Sequence, residues 1–304
     1  GETLHFKKAV IATGTRALVP PIDGLSEAGY LTNETLFNLT ELPRRLLVIG
    51  GGPIGCELAQ AFRRFGSEVT VVEMNQQFLA REDPDAASIL YEQFKADGIN
   101  VLLGATVESV AASEKGKSVS VTQGQTRNTL EVDEILVGAG RVPNVDGLGL
   151  EKAGVGYDSK TGVLVNDRLQ TDNPKIFAAG DICMEHKFTH AADAAARIVL
   201  QNALFWGRKE LSALTIPWCT YTDPEIAHVG LSEKDASERG ISINTFKRDL
   251  LEVDRALTDG DETGFVKIHV KQGSDKILGA TIVSRHAGEM ISEITVAMKG
   301  KIGL

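Results

Sequence analysis

The sequence predicts an α/β fold followed by a shorter α+β segment, and three observations carry that prediction. Residues 45–73 read in order as strand, glycine turn, helix and strand. Residues 134–138 (EILVG) are a continuous apolar run, the pattern of a strand buried on both faces of a parallel sheet. From Pro217 onward this texture gives way to strands, a short capped helix and a hairpin signal.

The glycine turn is the most specific element. Gly50, Gly52 and Gly55 fit G-x-G-x-x-G. In that pattern the first glycine allows a tight turn, the second lets a pyrophosphate approach the backbone, and the third lets the helix pack on the strand. A helix starting near Pro53 aims its backbone N–H groups and positive dipole end at the phosphates. Glu73 ends the next strand, where a carboxylate accepts hydrogen bonds from the hydroxyls of an adenine ribose. A layer of the same shape that binds nothing would leave the glycine triplet and the strand-end acid unexplained.

The remaining elements follow in order. Residues 7–13 predict a short apolar strand, broken by Gly14, Pro20, Pro21 and Gly24. Asp83 and Pro84 predict an N-cap and first turn for a helix over 85–97, with Gly98 ending it and Ile89, Leu90 and Phe94 on one face. Strands are expected at 100–103, 106–112, 118–123, near Leu130, and at 134–138, and then around 164–166 and 175–179. A helix over 189–206 carries Ala192, Ala195, Ala196, Val199 and Ala203 on a small-residue face. A capped helix over 232–240, strands at 241–246, 265–270 and 277–283, and a helix over 290–298 complete the chain.

Composition narrows the function classes. The chain has 304 residues, 32 basic against 41 acidic, for a net charge of −9, which argues against nucleic acid as a partner. No apolar run reaches spanning length and no leader pattern opens the chain, so no membrane role is expected and a cytoplasmic location is the default. Three scattered cysteines, Cys56, Cys183 and Cys219, fit a reducing compartment without a disulfide framework.

Several motifs occur in one order: Ala12-Thr13-Gly14; Gly50 to Glu57 with Glu73; Gly140-Arg141-Val142-Pro143-Asn144; residues 171–181 (TDNPKIFAAGD); and residues 221–230 (YTDPEIAHVG). With them the chain resembles the FAD-dependent pyridine nucleotide–disulfide oxidoreductases, and within that family its mercuric reductase-like and dihydrolipoamide dehydrogenase-like members. The resemblance implies a Rossmann-like NAD(P)-binding domain (43–142) inserted in a partial FAD-binding domain (1–42 and 143–214). A truncated α+β dimerisation domain (215–304) follows, and a homodimer is implied for the parent enzyme.

It also implies site residues. Gly50, Gly51, Gly52, Pro53, Ile54, Gly55, Cys56 and Glu57 would bind NAD, with Glu57 toward the nicotinamide, Glu73 on the adenine ribose, Val107 on the adenine and Gly140 by the nicotinamide ribose. Thr13, Gly14 and Thr15 would approach FAD, Asp181 would bond its ribityl chain, and Lys187, Phe188, Thr189 and His190 would face the isoalloxazine. Glu73 repels a 2′-phosphate and no arginine follows it closely, so NADH is favoured over NADPH. That departs from typical mercuric and glutathione reductases.

The family's redox pair Cys-x-x-x-x-Cys and its C-terminal His–Glu pair match nothing in this chain, so no catalytic residue and no metal ligand is assigned. The chain reads as an internal fragment, with an incomplete FAD site and no turnover of its own. The parent would pass hydride from NAD(P)H through FAD to a disulfide and on to a disulfide or mercuric-ion substrate. Alternatives are an NADH oxidase or peroxidase with a single reactive cysteine, or a non-catalytic nucleotide-binding and dimerising module. Cys56 reads as a packing residue. Cys183 is the better thiol candidate, since a helix N-terminus nearby would lower its pKa. Arg141 is open to two readings, phosphate neutralisation or a structural ion pair.

Overall fold

The computed structural model describes residues 5–114, 116–205 and 207–304. They form two compact units: the described residues up to Ala17 with Arg141–Ile216, and Leu18–Gly140 with Pro217–Leu304.

In the larger unit, a parallel sheet runs in the order Asn100–Leu103, Glu68–Glu73, Arg45–Ile49, Glu134–Val137. Leu46, Leu47 and Val48 are fully buried on the central strand, as its unbroken apolar run requires. The helix Pro53–Phe65 follows the central strand and ends at Gly66, whose φ of 111° releases the chain. The helix Pro84–Ala96 begins at Asp83, whose carboxylate accepts from the N–H of Asp85. Leu90 and Phe94 are buried together with Phe78 beneath it. A three-stranded antiparallel sheet, Ala105–Ser113, Gly116–Gln123 and Thr126–Val132, packs its valines into a second core.

The last 88 residues of this unit, 217–304, hold a five-stranded antiparallel sheet. Its order is Pro217–Thr220, Glu225–Gly230, Ile277–Ser284, Phe265–Lys271, Ile243–Asp249. The helix Ala287–Gly300 packs Ala287 and Ile291 on one face. On the other face Ile226, Val283 and Phe265, cross-strand neighbours, join the core of the parallel sheet. Two positions along each strand, the same face carries a polar row: Trp218, His228, Thr281 and Lys267.

The smaller unit is built from short pairings. Ala9–Ile11 lies parallel to Ile176–Ala178, Thr15–Ala17 lies antiparallel to Arg141–Pro143, and Tyr157–Asp158 pairs with Gly162–Val163. The helix Thr189–Leu204 packs Ala191, Ala195, Ile198 and Val199 against Phe177 and Ala179.

Several sequence expectations need correction. The strand expected over 7–13 is confined to Ala9–Ile11 with Val10 exposed, because Gly14 turns at φ 66° and Thr13 and Asn144 bond each other across the turn. Residues 164–166 are a loop: Asn166 Oδ1 accepts from the N–H groups of Arg168 and Gln170, which competes with a ladder. The strand expected at 241–246 runs as Ile243–Asp249, its register set by seven pairs with Phe265–Lys271. The long helix of the smaller unit ends at Leu204, and Trp206 lies outside the described residues. Its small-residue face divides, with Ala195 and Val199 in the core but Ala192 and Ala196 on an open groove. The strands at 217–220 and 225–230 and the helix Asp254–Asp259 carry no clear sequence signal. Among the described residues no helix is long and apolar enough to cross a membrane.

Candidate nucleotide and flavin sites

The glycine turn is sterically committed. Gly50 sits at φ 106°, and a side chain on it would meet Gly138 O at 2.6 Å. A side chain on Gly55 would meet Gly50 O at 2.1 Å, so the helix lies directly on the turn. Gly52 is different: it is extended (φ −81°, ψ 179°), and its nearest neighbour would be 4.0 Å away. Gly52 caps the helix without a side-chain hydrogen bond, and Pro53 and Ile54 form the first turn.

Glu73 is 7% exposed and its carboxylate is closely held. Oε2 accepts from Gly51 N at 2.7 Å, while Oε1 accepts from Asn75 N at 2.8 Å and Asn75 Nδ2 at 2.6 Å. An ionised carboxylate offers about four acceptor positions, so about one remains on Oε2. Glu73 was legible in the sequence; its bond to the turn itself and its partner Asn75 were not.

Cys56 is fully buried, and its thiol donates to Gly51 O. Burial first, then Glu57 and Glu73, push its pKa well up. Glu57 Oε1 accepts from Tyr221 N at 2.9 Å, and burial raises its carboxyl pKa. Val107 is buried in the second core. Gly140 takes φ 117°, with only Leu18 Cδ2 near its open side, at 3.9 Å.

The smaller unit brings Thr13, Gly14, Thr15 and Asp181 together. Thr15 Oγ1 donates to Asp181 Oδ2 at 2.9 Å and accepts from Arg141 Nε at 2.7 Å. Arg141 also donates to Thr15 O, and its guanidinium lies 3.7 Å from Asp181. The ion-pair reading of Arg141 is the one the geometry displays. An open groove of about 240 Å³ runs beside this triad, lined by Ala12, Gly14, Ala179, Gly180, Asp181, Ala192 and Ala196. Gly180 turns at φ 80°, and a side chain there would press on Ala192 Cβ at 3.3 Å. Lys187 Nζ donates to Arg141 O at 3.4 Å. Phe188 stacks with His186 and with His190, with centroids 6.4 and 5.6 Å apart, just ahead of Thr189 and the helix.

Cys183 departs from expectation. Burial, and then Asp181, push its thiol pKa up to about 12 instead of down. Its Sγ donates to Gly180 O. Burial and the carboxylates of Glu225, Glu57 and Glu82 also raise Cys219. All three cysteines are free thiols.

Known proteins resemble this chain in sequence and fold. A family model described as pyridine nucleotide-disulphide oxidoreductase matches residues 1–196, and one described as the dimerisation domain of that group matches residues 216–304. Mercuric reductase of Staphylococcus aureus is 37% identical over 299 residues, covering 98% of this chain and 55% of the relative. Dihydrolipoyl dehydrogenase of Chlamydia muridarum is 34% identical over 309 residues, covering 100% of this chain and 65% of the relative. Among solved structures, the HOCl-induced flavoprotein disulfide reductase RclA from Escherichia coli superposes with a TM-score of 0.88 at 31% identity, covering 99% of this chain and 68% of that one. LpdA from Mycobacterium tuberculosis gives 0.86 at 30%, covering 97% and 63%. The chain thus spans about half to two thirds of the length of these curated relatives. With both family models matched in order across nearly all its residues, the chain belongs to the pyridine nucleotide-disulphide oxidoreductases, an FAD- and NAD(P)-dependent flavoprotein family.

Proposed function

We propose that this chain supplies the nucleotide-binding and part of the flavin-binding machinery of an enzyme that reduces a disulfide or mercuric-ion substrate at the expense of NADH. The observation that carries this reading is the glycine turn with Glu73 bonded into it, which supports a site for an adenine ribose with a free 2′-hydroxyl. In this reading residues 43–142 bind the nucleotide, 1–42 and 143–214 belong to the flavin domain, and 215–304 serve a homodimer in the cytoplasm.

The residues present fit both groups. Gly52 leaves room for a pyrophosphate, and the helix start at Pro53 supplies its N–H donors. The Gly14 and Gly180 turns open a groove that larger side chains would fill, with Asp181 oriented by Thr15 and Arg141 at its wall. When bound, the two cofactors supply the hydride donor and the hydride acceptor. The chain's own residues hold and orient them: Glu73 fixes the ribose, Asp181 accepts from hydroxyls in the groove, and Arg141 keeps Asp181 in place.

The dithiol step is assigned to none of Cys56, Cys183 or Cys219. Their pKa values are raised and their environments are buried or acidic, the opposite of a reactive thiolate site. The chain on its own is therefore expected to bind nucleotides without turning over a disulfide.

Flavin fluorescence quenching tests the groove. Titration of FAD with the chain is expected to give saturable binding, and Asp181→Ala is expected to weaken it about tenfold, the loss of one hydrogen bond to a charged acceptor. Unchanged binding in Asp181→Ala would contradict the assignment.

A further inference from the structure

The segment between Glu73 and the helix Pro84–Ala96 joins two places that matter. At one end Leu79, buried and at φ 49°, donates its N–H to Gly51 O at 2.7 Å, and Phe78 packs against Gly51. At the other end Glu82 and Asp83 meet the polar row of the five-stranded sheet. Glu82 N donates to Leu79 O at 2.8 Å, and Gln77 Nε2 reaches the carbonyl of Glu82, so the ends are tied within one turn.

The two acids are handled differently. Asp83 is paired with Lys267 Nζ at 2.7 and 3.0 Å. Glu82 is 7% exposed and makes no ion pair among the described residues, although the neighbouring Arg81 acts on it electrostatically. Its Oε1 accepts from Trp218 Nε1 at 2.9 Å, and its Oε2 is buried without a hydrogen-bond partner among the described residues. An ionised carboxylate with one neutral donor and one orphaned oxygen is a poor occupant of such a site, whereas a protonated one is tolerated. The groups facing it are Arg81 and Asp83 on its own segment and Trp218 on the first strand of the sheet, while Cys219 beside Trp218 lies on the helix face. His228, on the next strand, lies against Trp218 with centroids 4.5 Å apart, and Lys267 is committed to Asp83 and Asp85.

We propose that Glu82 is a proton-dependent positioning residue: held neutral against Trp218, it seats the segment whose Leu79 braces the glycine turn, and its ionisation loosens that brace and weakens nucleotide binding. The inference rests on the reading of the turn as a dinucleotide site. Burial, opposed in part by the Trp218 bond, pushes the Glu82 carboxyl up from 4.5 to about 7. The sign follows: the contact is whole below the ordinary glutamate range and is lost as pH rises through about 7.

Two measurements on the whole chain decide it. The chain has two tryptophans, so Trp206→Phe leaves Trp218 as the sole tryptophan, which is excited selectively at the red edge of the aromatic absorption band. Its emission is expected to titrate with a midpoint near 7, and adding Glu82→Gln is expected to abolish that transition. In parallel, NADH affinity by calorimetry between pH 6 and 8.5 is expected to fall at least about threefold in wild type and to stay flat in Glu82→Gln, where a neutral amide oxygen still accepts from Trp218. Trp218→Phe removes the indole donor that favours ionisation and is expected to move the affinity profile to higher pH, a shift that a merely structural role would not give. A flat wild-type profile, or a dependence that survives in Glu82→Gln, overturns the proposal. Absence of NADH binding at every pH overturns the dinucleotide reading and this inference with it.

Discussion

Gly55→Ala is expected to remove both stability and nucleotide binding, whereas Gly52→Ala is expected to remove binding alone. The contrast comes from one turn. A methyl on Gly55 would sit 2.1 Å from Gly50 O, a backbone atom fixed by the Gly50 N–H bond to Val72 O, so the helix must move off the turn. Overpacking of this kind costs about 1–3 kcal/mol, and the upper end applies where the obstacle is backbone. A methyl on Gly52 meets nothing closer than Gly138 O at 4.0 Å and suits its extended φ. It occupies the space where a pyrophosphate would approach. Chemical denaturation should show a loss of about 3 kcal/mol for Gly55→Ala and under about 0.5 kcal/mol for Gly52→Ala. NADH affinity should fall at least about tenfold in both. Retained binding in Gly52→Ala would show that ligand does not approach this backbone.

The second large effect is expected at Lys267. Its Nζ donates to both oxygens of Asp83 and to Asp85 Oδ2 at 2.9 Å, and the Lys267 and Asp83 side chains are only 6% and 5% exposed. The ammonium also lies 5.2 Å from the centroid of the Phe265 ring. Burial alone would lower the Lys267 pKa, but the bonds to Asp83 and Asp85 outweigh it and the net shift is upward. Lys267→Met keeps the volume but strands the Asp83 carboxylate, which should cost about 3–5 kcal/mol. Adding Asp83→Asn should recover most of the loss, since asparagine still caps the helix and carries no charge. Thermal or urea unfolding of the three variants measures this; an additive double variant would show that the pair is not coupled.

How far the fold could be read from sequence depended on how local its causes are. The run from Arg45 to Glu73 was legible because its strand, turn, helix and strand each carry their own period and punctuation, and the observed helices begin within one residue of their proline signals. The strands Pro217–Thr220 and Glu225–Gly230 were not, because their buried face carries Trp218, Thr220 and His228 where a sequence pattern looks for apolar residues. Their partners lie far away in the chain: half-buried Trp218 meets Glu82, and buried His228 meets Thr281. The helix Asp254–Asp259 is six residues long and starts without a side-chain cap, so it leaves almost no trace.

The same division runs through the sites. Glu73 and the glycines announce themselves by spacing, while the Glu73 bonds to Gly51 and Asn75 depend on side-chain geometry at the end of a buried strand. Thr15 and Asp181 lie 166 residues apart and were connected only through the order of family motifs. The expectation of a lowered Cys183 pKa weighed a helix end and could not see burial, which reverses the sign.

The central claim is that the turn from Gly50 to Glu73 is built for a nucleotide with an unmodified ribose. Parallel fluorescence titrations with NADH and NADPH at one pH and salt concentration test it most directly. The account predicts saturable binding of both, with NADH tighter by about tenfold, because a 2′-phosphate would face the Glu73 carboxylate and would lose a hydroxyl donor to it. NADPH binding as tightly as NADH, or neither binding at all, would contradict it.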